Sequence, residues 1–255
     1  MRKSFVAVLA TVACSALVAG CTSTTTKGGT GTTPSVPSGS SSSSSAAPSA
    51  SGNETIAASE LQSKVVAAMK AATTFHLVGT GTDGGKPLSF DIHFAPHKAA
   101  GWVKQEGQKI ELINPGGASL YFRLPGALWK QLAGAQAAAM FIGKWVKVPA
   151  KDKNFAPLAQ AFDAQSFTGG ISDEASGDLA KVGPATVEGV AATEYKSASD
   201  RTQVFIAVSG PPVILKAVDK SSDGGTVTFS DYDKPYAPTL PPASQTVDFS
   251  KMTGH

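Results

Sequence analysis

The sequence predicts an α+β fold in which helices cover the concave face of a large curved antiparallel sheet. Three observations carry this expectation. Short segments of alternating apolar and polar residues fill residues 75–124 and again 180–232, the period of half-buried strands. Tight turn signals separate them, among them Asp83-Gly84-Gly85-Lys86, Glu106-Gly107 and Glu188-Gly189. Strands joined by such turns run antiparallel and need no crossover helices. Before and between the two groups lie segments whose apolar residues recur at helical spacing.

The first 53 residues stand apart from this pattern. Arg2 and Lys3 open the chain, residues 5–18 are mostly apolar, and Val18-Ala19-Gly20-Cys21 closes the run. These are the parts of a secretory signal peptide spanning 1–20. Its end resembles a bacterial lipobox: small residues fit the signal peptidase, and the Cys21 thiol is the nucleophile that receives a diacylglyceryl group. The alternative is an ordinary secreted chain whose cysteine only follows the apolar run. With the lipobox, Cys21 is the lipid-attachment residue. The membrane is then a partner through diacylglyceryl-Cys21, and the domain sits lipid-anchored on the outer face of the cell membrane, since two or more acyl chains hold durably where one is marginal. Cys14 leaves with the signal, so the mature chain keeps no free thiol for a disulfide, a cysteine metal site or a cysteine nucleophile. Of residues 22–53, 26 of 32 are Ser, Thr, Gly or Pro. Too little apolar surface remains to offset chain entropy, so residues 21–53 are expected to be the lipidated cysteine and a disordered tether. A flexible coil of that length spans roughly 30 Å on average.

Residues 54–240 are expected to form one domain. It opens on a helix with Ser59 as N-cap and Gln62 completing a capping box, carrying Leu61, Val65, Met69 and Ala72 on one face and ending near Thr73. Strands are expected at 75–82, 88–95, 100–105, 109–113 and 118–124. A helical stretch then runs from Gly126 to about Met140, with small residues through its middle that either allow close packing or leave room. Another strand spans 143–149, a short helix 155–162 and a loop 163–177. The second group of strands covers 180–187, 190–197, 202–208, 213–220 and 226–232. Residues 241–255, after Pro235, Pro238, Pro241 and Pro242, read as an extended tail.

The chain of 255 residues has a formal net charge of +3, but Arg2, Lys3 and Lys27 lie before residue 54. From there on, 19 Lys and Arg stand against 19 Asp and Glu. A neutral domain has no counterion release to draw on, so nucleic acid is excluded as a partner. No apolar run beyond the N-terminus reaches the roughly 18–20 residues of a membrane-spanning helix.

Motifs for chemistry are sparse. His93 and His97 are four apart, but Pro96 lies between them in a strand-to-turn context, so they do not share a helix face and read as solvated surface histidines. Gly79-Thr80-Gly81-Thr82-Asp83-Gly84 matches a dinucleotide-loop pattern, yet a turn and a strand follow it instead of a helix N-terminus. Asp231 and Asp233 read as a solvated strand end, and Asp173, Glu174 and Asp178 as a polar loop. No G-x-S-x-G or S-x-x-K occurs. The expectation is therefore no catalytic residue, no metal site and no cofactor.

What remains is an apolar supply on one side of the sheet. Phe90, Phe94, Leu120, Phe122, Val204, Ile206 and Leu215 face helices carrying Trp129, Leu132, Met140, Phe141 and Phe162. Periodicity does not distinguish a packed core from a hollow one. The lipobox, the tether, the 61–69 helix feeding Phe75-His76-Leu77, the Gly143-Lys144-Trp145-Val146-Lys147-Val148-Pro149 segment and the Val187-Glu188-Gly189-Val190 hairpin leading to Tyr195 together resemble the actinobacterial LppX/LprAFG lipoproteins. More distantly they resemble the LolA/LolB carriers.

The resemblance implies a half-barrel of antiparallel sheet closed by helices around an apolar cavity that takes acyl chains of a lipid or lipoglycan, without catalysis. Burying a 16-carbon chain would contribute on the order of 12 kcal/mol before entropic costs. The twelve residues just named are then the candidate cavity lining. A second expectation on the same fold is an envelope sensor or interaction module that binds a protein partner. A deep polar pocket gathering Asp91, His93 and other titratable groups would instead point to an enzyme.

Overall fold

The computed structural model describes residues 52–152, 155, 162, 179–197, 201–222 and 224–251. The expected signal peptide, Cys21, nearly all of the expected tether, and most of the residues expected to form the 155–162 helix and the 163–177 loop lie outside these residues. Helix α1 (Ala58–Ala71) is followed by β1 (Phe75–Asp83), β2 (Lys86–Ala95), β3 (Lys98–Gln105), β4 (Gln108–Asn114), β5 (Ser119–Arg123), α2 (Gly126–Phe141) and β6 (Trp145–Pro149). The second group is β7 (Leu179–Val187), β8 (Val190–Ser197), β9 (Thr202–Ala207), β10 (Ile214–Asp219) and β11 (Gly225–Ser230), and β12 (Thr246–Asp248) closes the chain.

The twelve strands among the described residues form one sheet in the order β12-β6-β5-β4-β3-β2-β1-β11-β10-β9-β8-β7. Each group is a meander of antiparallel neighbours, and the two join where β1 pairs with β11, His76 opposite Ser230. The two edge strands do not pair with each other, so the sheet is open. The architecture is α+β, as the alternation and the turns require. The expected extended tail differs: residues 246–248 add a twelfth strand parallel to β6, with Val247 opposite Val146. Phe249 beyond it meets Phe141 and Phe155, ring centres 6.3 and 5.8 Å apart. An apolar residue in the tail buries surface by covering the open end of the core, and the adjacent strand satisfies the edge of β6.

One apolar cluster runs across a single face of the sheet. On β1 and β2 it takes Phe75, Leu77, Leu88, Phe90, Ile92 and Phe94, all buried, while His76, Val78, Ser89, Asp91 and His93 alternate onto the other face. Gly79, in the expected glycine pattern, has a packing reason. It sits opposite Phe90, and a Cβ there would lie 2.2 Å from the Phe90 ring, so the missing side chain leaves room for the ring to lie across the strand. Leu61, Val65 and Met69 of α1 enter the same cluster. The helix starts two residues earlier than the capping box predicts. Ala57 is its N-cap with no side-chain hydrogen bond, because burial of the 61-65-69 stripe, worth several kcal/mol, sets the register over a cap worth about 1 kcal/mol.

Helix α2 is broken at Gly134, whose φ of 80° and ψ of 164° lie far from helical values. The expected helical stretch from Gly126 to about Met140 is therefore present but broken in its middle. The backbone there is of a kind that only glycine adopts readily.

Candidate functional site

The inner face gathers the residues expected to line a cavity. Phe90, Phe94, Leu120, Phe122, Trp129, Phe141, Phe162, Val204, Ile206 and Leu215 are all buried in the one cluster. Leu215 is buried beside Ile214 because the ladder between β9 and β10 slips a residue there, which turns two consecutive side chains inward. The side chain of Leu132 lies outside the described residues. Met140 is a correction: it is 51% exposed, and Ile142 is 49% exposed. After the break at Gly134 the second segment of α2 turns Ala138 and Phe141 inward, a spacing of three, and Met140 falls between them on the outside.

The inner face is aromatic as well as apolar. Phe75 and Phe94 lie 4.9 Å apart, Trp129 and Phe141 4.7 Å, and Phe122 and Phe155 5.5 Å between ring centres. Within it, the Trp129 indole N–H is buried and has no hydrogen-bond partner among the described residues. A buried donor left unpaired costs about 1–3 kcal/mol. Sequence periodicity marks Trp129 only as apolar and carries no signal for its polar atom.

The outer face holds a second group that the sequence reading dispersed. His76 and His93 are directly opposite in the β1–β2 ladder, and their rings stack 3.6 Å apart at 8°. His76 Nε2 lies 2.8 Å from Asp91 Oδ1, and its Nδ1 lies 3.4 Å from Ser230 Oγ. Tyr236 stacks on the other side of His93 at 4.7 Å, and Asp231 approaches His93 Nε2 at 4.0 Å. Burial, then the neighbouring His76, lower the His93 pKa below its usual value, against the opposing pull of Asp91 and Asp231. Burial, and then Asp91, raise the Tyr236 phenol. His93 is thus not the solvated histidine expected from sequence; His97, in the turn after Pro96, is exposed.

The segment after β11 builds this arrangement. Asp231 and Asp233 both have positive φ, 55° and 56°, and the chain doubles back over the start of β1. Asp233 Oδ1 accepts from the Thr73 N–H at 2.8 Å and the Thr73 hydroxyl at 2.9 Å, and the Thr74 hydroxyl donates to the Lys234 carbonyl at 2.7 Å. Lys234 Nζ reaches Asp231 at 2.7 Å, and that contact most strongly holds the Asp231 carboxyl below its ordinary pKa. These two carboxylates stand at a solvated strand end, as expected, and make structural contacts there as well. A half-open pocket of about 160 Å³ lies here, between His93, Phe94, Asp231 and Tyr236. The stacked histidines were within reach of the sequence, because a two-residue turn between Asp83 and Lys86 places His76 across from His93.

Further along the outer face, a ladder crosses three strands. Trp102 sits opposite Glu111 and Glu111 opposite Arg123. Arg123 holds the Glu111 carboxylate with two N–H groups, one at 2.8 Å and the other through Nε, and its guanidinium lies 5.0 Å over the Trp145 ring. Burial would raise the Glu111 pKa, but the hydrogen bonds from Arg123 and Lys109 outweigh it and hold the carboxyl below its usual value.

No family model matches the sequence, and no curated protein matches it. Among solved structures the chain is similar to LprF from Mycobacterium bovis, with 15% identity, TM-score 0.49, and 72% of this chain and 96% of that one covered. It is also similar to the lipoprotein LppX from Mycobacterium tuberculosis, with 16% identity, TM-score 0.42, and 70% and 97% covered. An uncharacterized conserved protein from Thermus thermophilus follows at 12% identity, TM-score 0.33, and 75% and 98% covered.

Proposed function

We propose that this chain is a membrane-anchored extracytoplasmic lipoprotein, held through diacylglyceryl-Cys21, that binds or carries the acyl chains of a lipid or lipoglycan between its sheet and its helices without catalysing a reaction. The observation that supports this most is the Trp129 indole N–H, a donor unpaired among the described residues inside an otherwise apolar, aromatic interior. An amphiphile with long hydrocarbon chains and an ester or hydroxyl acceptor complements both properties. The chains bury against Phe90, Phe94 and Phe122, and the acceptor takes the indole proton. Helix α2 suits a movable cover: past its break at Gly134 its described buried side chains are Ala138 and Phe141, while Ala135, Gln136, Ala139 and Met140 are exposed.

Native mass spectrometry and solvent extraction of the purified chain test this reading. The expected result is a co-purifying acyl species, retained about fivefold less well by Trp129→Phe, the loss of one hydrogen bond of about 1 kcal/mol. A chain that carries no acyl species and takes up no fluorescent fatty acid from vesicles overturns it.

A further inference from the structure

The outer-face cluster is independent of the apolar interior and has a chemistry of its own. His76 on β1, Asp91 and His93 on β2 are half-buried, and one ligand atom from each lies within 4.8 Å of the other two. Asp91 and His93 share a face because they are two apart on one strand, and His76 joins them through the ladder register. Four-coordinate zinc has bonds of about 2.0–2.1 Å to imidazole nitrogen and carboxylate oxygen, which sets its ligands roughly 3.3 Å apart. The 2.8 Å between His76 Nε2 and Asp91 Oδ1 already falls near that spacing. The terminal ring torsion of histidine is soft, so a modest swing brings His93 in.

The surroundings match what a metal-ligating histidine uses. Ser230 Oγ lies 3.4 Å from His76 Nδ1; when a metal displaces the Nε2 proton that faces Asp91, the hydroxyl can turn to accept from Nδ1–H, and such partners orient the ring and fix its tautomer. Asp231 lies 4.0 Å from His93, its charge shared with Lys234 at 2.7 Å. A half-open pocket borders His93 on the side of Asp231 and Tyr236.

We propose that His76, Asp91 and His93 form a binding site for one divalent transition-metal ion of the zinc class on the outer face of the sheet, with Ser230 positioning His76. Two imidazoles and one carboxylate favour such an ion over magnesium or calcium, which take oxygen ligands.

The test is calorimetric titration of the untagged full chain with Zn2+. One ion per chain is expected, undisturbed by a large excess of Mg2+ or Ca2+. His76→Gln and His93→Gln should each weaken binding well over tenfold, and Ser230→Ala about tenfold, as for an outer partner. On the unaltered chain, the His76 and His93 ring-proton resonances should shift together on Zn2+ addition while that of His97 stays in place; this reading holds even where a variant fails to fold. Absence of binding, binding that survives intact in the His76→Gln/His93→Gln double variant, or a shift confined to other histidines overturns the proposal.

Discussion

The hairpin of β1 and β2 presents two faces to two different worlds. Phe75, Leu77, Phe90, Ile92 and Phe94 look inward and are 0–2% exposed. One residue along, His76, Asp91 and His93 look outward, half-buried, with stacked rings and a short carboxylate contact. The same alternation builds both, yet different physics holds them. The inner face is stabilised by area removed from water, which is undirected and large. The outer face rests on geometry, in ring stacking and hydrogen bonds worth a kilocalorie or so apiece. A strand can therefore contribute its stability on one side and keep adaptable chemistry on the other.

Adjacent substitutions sharpen this contrast most. Phe94→Ala should destabilise the domain by about 3–5 kcal/mol in urea unfolding, because the ring is fully buried against Phe75. A loss below about 1 kcal/mol would mean that the inner face is loosely filled. Gly134→Ala tests whether the broken helix over that face is held in its observed shape. A Cβ there meets nothing within 4 Å, so any cost of about 1–3 kcal/mol comes from the positive φ alone. A gain in thermal stability would show instead that α2 straightens. His93→Gln, next to Phe94 but on the other face, should cost only about 0.5–1.5 kcal/mol of metal-free stability, the worth of its stacking on His76 and Tyr236. A cost equal to that of Phe94→Ala would erase the distinction between the faces.

The smallest effect is pH-dependent. The Glu111 carboxyl titrates lower in the folded chain than in the unfolded one, so its pair with Arg123 contributes fully above the unfolded carboxylate pKa and is lost as pH falls through the folded value. Glu111→Gln should therefore lower stability by about 0.2–1 kcal/mol near neutral pH. The two proteins should converge as unfolding is followed below roughly pH 4.

Much of the fold was legible because it is local. The turns at 83–86, 106–107 and 188–189 and the alternation of Leu88, Phe90, Ile92 and Phe94 specify antiparallel strands without reference to anything distant. The apolar candidates were legible for the same reason, since a buried strand face announces itself by period. Met140 was misplaced because one residue with positive φ, Gly134, rephases the helix after it, and helical spacing counted across a break has no meaning. The tail strand escaped because β12 is three residues long, and its partner β6 lies about a hundred residues away in sequence.

The outer cluster was half legible. The hairpin turn pairs His76 with His93, but Asp231, Ser230 and Tyr236 come from more than 130 residues away in sequence and arrive only when β11 docks on β1. By itself, then, the sequence determined the strands, their turns and which side chains share a face, for these follow from the backbone period and from turn stereochemistry over a few residues. The tertiary structure alone decided that the two meanders join at β1 and β11, that α2 breaks, that the Trp129 proton is unpaired among the described residues, and that histidines and carboxylates from both ends of the domain meet. Those outcomes depend on contacts between distant segments, which are set by the competition for buried area across the whole sheet.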